Sequence, residues 1–274
     1  MPQPMEANDR PEGMRIALVL SAGGLRGAAH VGVLRQLVRH SIPIDAIVGV
    51  SAGAVVAAYY AAVGLDLDEL MSDAYAFRGR HLLTYSANVQ LNRRYESWLQ
   101  QWCGVIPARL RQLQTATFDR LHHGVRSLGI ACHDVRSRKP RYFWTGLEEG
   151  ATLYDVVMAS ASIPFLFPAV RVTCGDEEWR LTDGGISVPV PLAFARDPAI
   201  GATHVIVSDC RWIGRVPPAD PNTVWIRPRM ASTGSLWSPR RGLLAAVRDG
   251  EEAVTQQVMA PQGAWFAPKP AHIT

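Results

Sequence analysis

The sequence predicts an α/β protein with a mostly parallel central sheet flanked by helices. Short apolar runs rich in β-branched residues alternate with longer helix-forming stretches along most of the 274 residues. Two early units follow the order strand, glycine-rich turn, helix, which is typical of sheets whose functional loops lie at the carboxyl ends of the strands. A hydrophobic content of 48% is enough to bury a sizeable core.

The predicted strands lie near residues 15–20, 44–50, 127–134, 140–144, 169–173, 178–182, 203–209 and 223–228. The predicted helices lie near residues 28–39, 52–63, 152–161 and 240–259. A turn at Gly175-Asp176 predicts an antiparallel pair that brings residues of later sequence into a mixed sheet. We expect a flexible lead-in over residues 1–12 and a single domain over residues 13–274, with a helical insertion near residues 65–126.

The segment Gly49-Val50-Ser51-Ala52-Gly53 joins the second predicted strand to the second predicted helix. A tight turn of this kind needs small neighbours and leaves the serine hydroxyl exposed, as in a nucleophile elbow. The helix behind it would aim free N–H groups and the positive end of its dipole at the serine oxygen. Because such patterns also form simple tight turns, the assignment of Ser51 as a nucleophile depends on partners elsewhere in the chain.

A second glycine-rich turn, Ser21–Gly27, follows the first predicted strand. It lacks the Gly-Lys-Ser/Thr ending of a Walker loop, because Arg26-Gly27-Ala28 stands there. A dinucleotide-binding loop would need glycine in place of Ala22 and an acidic residue at the end of the second strand, whereas Asp45 lies at its start. The third interpretation is an oxyanion hole, whose donors would be the consecutive backbone N–H groups of Gly23, Gly24 and Leu25.

The segment Asp183-Gly184-Gly185 closes a later predicted strand. A serine hydroxyl is a poor nucleophile until a neighbouring group takes its proton, and an aspartate at a strand end can be that base. These residue types also suit a simple hairpin or loop turn.

The histidines beyond Asp183 do not favour a catalytic triad. His204 begins an apolar strand, and His272 lies in a polar, proline-containing tail. A dyad is therefore the preferred interpretation, and His30 is expected to be a structural hydrogen-bonding residue. The four cysteines are widely spaced and lack a Cys-x-x-Cys pair, so we expect reduced thiols, no metal site and no cofactor.

Together these segments resemble the patatin-like phospholipase family. Its pattern combines a glycine-rich oxyanion loop with an arginine, a Gly-x-Ser-x-Gly elbow, and Asp-Gly-Gly/Ala. They stand here as Gly23-Gly24-Leu25-Arg26-Gly27, Gly49–Gly53 and Asp183-Gly184-Gly185. The stretch Ala159–Pro168 also looks like the family's Ala-Ser-x-x-x-Pro-x-x-Phe segment, whereas Ala22 stands where the family usually has the first glycine of its loop.

The resemblance implies a patatin-like three-layer architecture and a Ser51–Asp183 dyad. The implied oxyanion donors are Gly23, Gly24 and Leu25, and Arg26 would position the loop or a substrate phosphate. The implied activity is that of a serine lipid acyl hydrolase (a phospholipase A, lysophospholipase or esterase) acting on a lipid or ester substrate. An acyltransferase that uses the same acyl-enzyme, or a non-catalytic lipid-binding module, is the alternative.

The net charge of +4 is a mild basic excess. Arginines cluster at Arg93-Arg94, at Arg109 with Arg111, and from Arg136 to Arg141, either to meet anionic lipid head groups or as a solvated face. The motifs of nucleic-acid-binding proteins do not accompany these charges, so we expect no nucleic-acid partner. The oligomeric state stays open.

An apolar helical stripe lies in the predicted insertion, formed by Leu91, Tyr95, Trp98, Leu99 and Trp102. It predicts either a lid beside a lipase site or a helix packed on the core. Because the sequence has neither a signal-peptide pattern nor a run of about eighteen apolar residues, we expect a cytoplasmic protein, with peripheral membrane contact as an open alternative.

Overall fold

The computed structural model describes residues 12–90, 104–147, 150–215, 218, 220–230, 233–234, 242–255 and 265. Within these ranges a single sheet contains the strands β1 (Ile16–Leu20), β2 (Ala46–Val50), β3 (Ser127–Asp134), β4 (Lys139–Trp144), β5 (Val170–Cys174), β6 (Glu177–Asp183), β7 (His204–Ser208) and β8 (Thr223–Ile226). Strands β3, β2, β1, β7 and β8 are mutually parallel, while β4, β6 and β5 extend the sheet in antiparallel fashion. The predicted mixed, mostly parallel sheet is confirmed.

The described helices are α1 (Ala29–Arg39), α2 (Ala52–Ala58), α3 (Leu67–Ala76), α4 (Gly79–Gln90), α5 (Ile106–Thr115), α6 (Leu153–Ser160), α7 (Leu192–Arg196) and α8 (Gly242–Ala253). One-turn 3₁₀ helices lie at Gly24–Ala28 and Gly184–Ile186, and a π-helical turn, Tyr59–Val63, continues α2. None of the described helices is long and apolar enough to cross a membrane.

Alternate residues of β1 enter two different cores. Ile16, Leu18 and Leu20 belong to the larger one, which α1, α2, α5, α6 and α8 cover. Ala17 and Val19 belong to a smaller one on the opposite face, closed by α7 and the segment after it. Since a strand buried on both faces must be apolar throughout, this three-layer arrangement explains the unbroken apolar run of β1.

The predicted helical insertion contains α3, α4 and α5. Asp66 caps α3 in a reciprocal capping box with Glu69, and Pro107 occupies the first turn of α5. The apolar stripe predicted between residues 91 and 102 lies outside the described residues, as does most of the predicted lead-in.

Candidate active site

The register of β3 brings Ser51 and Asp183 together. Residues 127–131 of β3 pair with β2, residues 132–134 pair with β6, and β4 lies along residues 129–134. A strand has only two hydrogen-bonding edges. Strands β2 and β6 therefore share one edge of β3 and meet end to end, so that Ser51, which follows β2, faces Asp183, which ends β6.

The two side chains form the expected dyad geometry. The Ser51 hydroxyl donates to Asp183 Oδ2 at 2.6 Å, a length typical of a hydrogen bond to a carboxylate. The backbone N–H of Gly185 donates to Asp183 Oδ1 at 2.8 Å and so holds the carboxyl group in place. Burial raises the pKa of Asp183, and these two hydrogen bonds oppose that rise. A carboxylate with a raised pKa is a stronger base toward the serine proton.

The backbone of Ser51 has the strained conformation of a nucleophile elbow, with φ +55° and ψ −125°. Steric contacts explain its small neighbours. A Cβ atom on Gly53 would lie 2.3 Å from the Leu20 carbonyl oxygen, and one on Gly27 would lie 2.4 Å from the Ala52 Cβ. The elbow and the glycine loop therefore pack directly on each other, as their glycines allow.

Ser160, which was not predicted as a functional residue, anchors the backbone of the elbow. Its hydroxyl accepts a 2.9 Å hydrogen bond from the Ser51 backbone N–H and donates to the Ala131 carbonyl at 2.7 Å. Ser160 is fully buried at the end of α6. The sequence offers one signal for it, the Ala-Ser pair that opens the segment Ala159–Pro168.

Replacement of Ser160 by alanine is expected to destabilise the fold by about 1–3 kcal/mol, because a buried N–H and a buried carbonyl both lose their partner. We also expect a loss of about 10- to 100-fold in kcat, since the nucleophile loses an anchor of its backbone. Urea unfolding and ester hydrolysis measure the two effects. Ser162→Ala, which removes only a bond to the Met158 carbonyl of the preceding helical turn, serves as the stability control. Equal stability of the two variants would contradict the anchoring role.

The glycine loop lies beside Ser51, as the oxyanion interpretation requires. Gly24 has a φ of +57°, a conformation that favours glycine. Gly24 and Leu25 line the same cavity as Ser51, whereas Gly23 packs against Cys210. Ala22 stands where the family usually has a glycine. Its N–H donates to the Pro189 carbonyl at 2.9 Å and is therefore not among the candidate oxyanion donors.

Arg26 is buried and bound to the protein itself. Its guanidinium donates to the carbonyl oxygens of Cys210, Met230 and Thr233 at 3.0–3.1 Å. Of the two roles considered for Arg26, this geometry favours positioning of the loop. Direct contact of Arg26 with a substrate stays a prediction.

His30 is a buried structural histidine. Its Nε2–H donates to the Ser21 carbonyl at 2.9 Å, and its Nδ1 accepts from the Ser208 hydroxyl at 2.8 Å. Burial lowers its pKa to about 4, so the ring is neutral at pH 7. His204 begins β7, at the sheet edge opposite Ser51, and His272 lies outside the described residues. The dyad, without a histidine, stays a prediction.

An apolar cavity of about 300 Å³ opens at Ser51. The segment that contains α3, α4 and α5 forms part of its wall through Leu70, Phe77, Leu82, Tyr85, Leu110 and Leu113. Among the lining residues that the structure describes, two are charged, Asp73 and Arg109, and they neutralise each other through hydrogen bonds of 2.6 and 3.1 Å. No histidine occurs among the described residues of the lining.

The predicted arginine clusters have different surroundings. Arg109 is engaged by Asp73, and Arg111 is exposed on α5. In the third cluster, Arg141 lies over the Trp179 ring at 4.7 Å while Arg136 is exposed. Arg93 and Arg94 lie outside the described residues. Exposure of Arg111 and Arg136 fits either a solvated face or contact with anionic lipid, and both interpretations stay predictions.

Known proteins share both the sequence pattern and the fold. Lysophospholipase NTE1 of Mycosarcoma maydis is 53% identical over 49 residues, which are 18% of this chain and 3% of that protein. The patatin-like phospholipase domain-containing protein ZK370.4 of Caenorhabditis elegans is 53% identical over 49 residues, 18% of this chain and 4% of the relative. This chain thus matches only a small part of these curated relatives.

Two solved structures have the same fold at low sequence identity. VipD from Legionella pneumophila has a TM-score of 0.55 at 14% identity, covering 91% of this chain and 67% of VipD. Human GIVD cytosolic phospholipase A2 has a TM-score of 0.59 at 9% identity, covering 97% of this chain and 64% of the human protein. A family model described as patatin-like phospholipase matches residues 18–196, which is more than half of the chain and includes the glycine loop, Ser51 and Asp183. With the motifs, the fold and this match in agreement, the chain belongs to the patatin-like phospholipase family.

Proposed function

We propose that this chain is a serine acyl hydrolase that cleaves carboxylic ester bonds of lipids. The observation that carries the proposal is the 2.6 Å hydrogen bond from Ser51 to the buried carboxyl group of Asp183, at the wall of an apolar cavity. The proposed nucleophile Ser51, the proposed base Asp183 and a cavity for an acyl chain are thereby all within reach of one ester group.

In the acylation step Asp183 takes the proton of Ser51 as the hydroxyl oxygen attacks the ester carbonyl carbon. The negative charge that develops on the carbonyl oxygen is stabilised by backbone N–H groups of the loop, for which Gly24 and Leu25 are best placed and Gly23 is the third candidate. When the tetrahedral intermediate collapses, Asp183 returns the proton to the leaving alcohol and the acyl group stays on Ser51.

In the deacylation step Asp183 takes a proton from water as the water oxygen attacks the acyl-enzyme. Collapse of the second intermediate releases the fatty acid, and Asp183 returns the proton to Ser51. An alcohol in place of water would make the protein an acyltransferase by the same steps. The two activities differ only in which acceptor reaches the intermediate.

The cavity supports a lipid acyl chain as the bound part of the substrate. Its lining is mainly hydrocarbon, and the Asp73–Arg109 pair is internally neutral. A charged head group would lose hydration there without a partner, so we place the head group outside the cavity. The lysophospholipase names of relatives that match this chain over short segments support the same substrate class.

Covalent labelling tests the proposal together with product analysis. A fluorophosphonate is expected to label Ser51, as mass spectrometry of the modified peptide would show. Fatty acid released from a phospholipid, a lysophospholipid and short-chain p-nitrophenyl esters then defines the substrate class, and an added alcohol acceptor separates hydrolysis from acyl transfer. Absence of both labelling and release would favour the lipid-binding module.

A further inference from the structure

Four large apolar side chains are exposed close to the dyad, and we call them the apolar rim. They are Phe165, Ile186, Trp212 and Ile213, with exposed fractions of 103, 53, 64 and 83%. Single exposed apolar residues are ordinary, but a group of them around one opening indicates an interaction site.

The rim residues flank groups that contact the catalytic residues. Phe165 lies between Ile163 and Phe167, both of which line the cavity. Ile186 follows Gly185, whose N–H donates to Asp183.

The other two members of the rim lie beyond the carboxyl end of β7. The ring of Trp212 lies 4.8 Å from the guanidinium of Arg26 in the glycine loop, and Ile213 is its neighbour in the chain. The four residues therefore come from three separate segments that meet at the edge of the sheet where Ser51 lies.

Phe165 has a strained backbone, with a φ of +68°. Such a conformation is rare for an aromatic residue and costs about 1–3 kcal/mol. The N–H groups of Leu166 and Phe167 donate to the Ile163 carbonyl and hold the turn that presents the ring. The ring is fully exposed, so packing of the ring against the described residues does not account for this conformation.

The charge beside the rim is positive. The segments that leave the carboxyl ends of β7 and β8, residues 209–215 and 227–230, contain one aspartate and four arginines, namely Asp209, Arg211, Arg215, Arg227 and Arg229. Asp209 is buried between Arg211 and Arg227, so it neutralises only part of this charge. Tryptophan beside arginine is a typical combination at membrane interfaces, where the ring enters the head-group region and the cation meets anionic lipid.

We propose that the apolar rim docks on the surface of an anionic lipid aggregate and places the cavity opening against it. This docking would serve the proposed function, on which its biological role rests, because an acyl chain can then pass from the aggregate into the cavity without crossing water. Apolar insertion and electrostatic attraction act together in this arrangement, so binding should need both the rim and negatively charged lipid.

Flotation of the Ser51→Ala chain with vesicles tests the proposal without turnover. The vesicles contain either phosphatidylcholine alone or phosphatidylcholine with a minority of phosphatidylglycerol. The test variant adds Phe165→Gln and Ile213→Gln. The control variant instead adds Val38→Gln, which changes an exposed apolar residue near the end of α1, at the opposite edge of the sheet.

We expect binding to the phosphatidylglycerol vesicles that falls at high salt, about tenfold weaker binding by the rim variant, and unchanged binding by the control. Equal binding by the rim variant and its parent, or no binding by the parent, would overturn the proposal. A parent that is dimeric by gel filtration and a rim variant that is monomeric would overturn it too, by assigning the rim to a second copy of the chain. Because the assay measures binding in a Ser51→Ala protein, its result does not depend on whether the wild type hydrolyses lipid.

Discussion

Alanine at position 51 is expected to abolish ester hydrolysis, with kcat falling by about 10⁴-fold or more. The hydroxyl of Ser51 is the group that Asp183 deprotonates in our mechanism, and alanine leaves no atom to carry the acyl group. The fold should persist, because the φ of +55° comes from the turn and from the Ser160 anchor rather than from the hydroxyl. Fatty-acid release and thermal unfolding, measured side by side, check both expectations.

Ser127→Ala is the matched control for this experiment. Ser127 is also a buried serine, but it opens β3 at the opposite edge of the sheet, where it accepts a hydrogen bond from Arg15. We expect it to hydrolyse esters at a rate within a fewfold of the wild type. Turnover by Ser51→Ala at the wild-type rate would refute the nucleophile assignment, whatever the control does.

The strands were predictable because their physical signal is local. Each of the eight predicted strands is observed, since buried β-branched runs such as that of β7 have few alternatives to an extended conformation. Helix α7, in contrast, was not predicted. It has five residues and follows Pro191, too short a segment for a helical period to be recognised.

The sequence predicts the two candidate catalytic residues, but not the residues that hold the candidate site in place. The elbow and the Asp-Gly-Gly turn are local motifs, and the sequence indicates Ser51 and Asp183 without the fold. The contact of Ser160 with the elbow joins residues 109 positions apart, and Arg26 reaches Met230 over 204 positions. Such contacts depend on tertiary packing, about which the periodicity of a single sequence carries no information.

Replacing Asp183 by asparagine is expected to lower kcat by about 10³- to 10⁴-fold, because the amide cannot accept the serine proton. In the wild type, activity should fall at acidic pH as Asp183 becomes protonated, with a midpoint above the ordinary aspartate pKa, since burial raises it. The variant should lack this acidic limb. A pH profile of kcat/KM for both proteins measures the difference, and an unchanged acidic limb in Asp183→Asn would assign the base to another group.

Although Asp183→Asn should lower kcat, it should not lower the stability of the fold at neutral pH. With its pKa raised on folding, Asp183 binds a proton more tightly in the native state, so its contribution to stability is present below the unfolded pKa and is lost as pH rises through the folded pKa. Asparagine is neutral and can keep hydrogen bonds to Ser51 and Gly185. Asp183→Asn should therefore be at least as stable as the wild type at pH 7, with the advantage shrinking toward pH 4 in urea unfolding.

Asp209→Asn supplies the contrast. Although burial raises the pKa of Asp209, its hydrogen bonds and charge interactions with Arg211 and the charge of Arg227 lower it overall. Stability from this group is thus present above the unfolded pKa and lost as pH falls, so the asparagine variant should be destabilised at pH 7. The two substitutions should therefore change the free energy of unfolding at pH 7 in opposite directions. Such a result would distinguish a buried carboxyl group with a raised pKa, suited to proton transfer, from one whose charge stabilises the fold. Destabilisation of both variants at pH 7 would instead mean that the fold stabilises the charged form of Asp183, contrary to a pKa raised by burial.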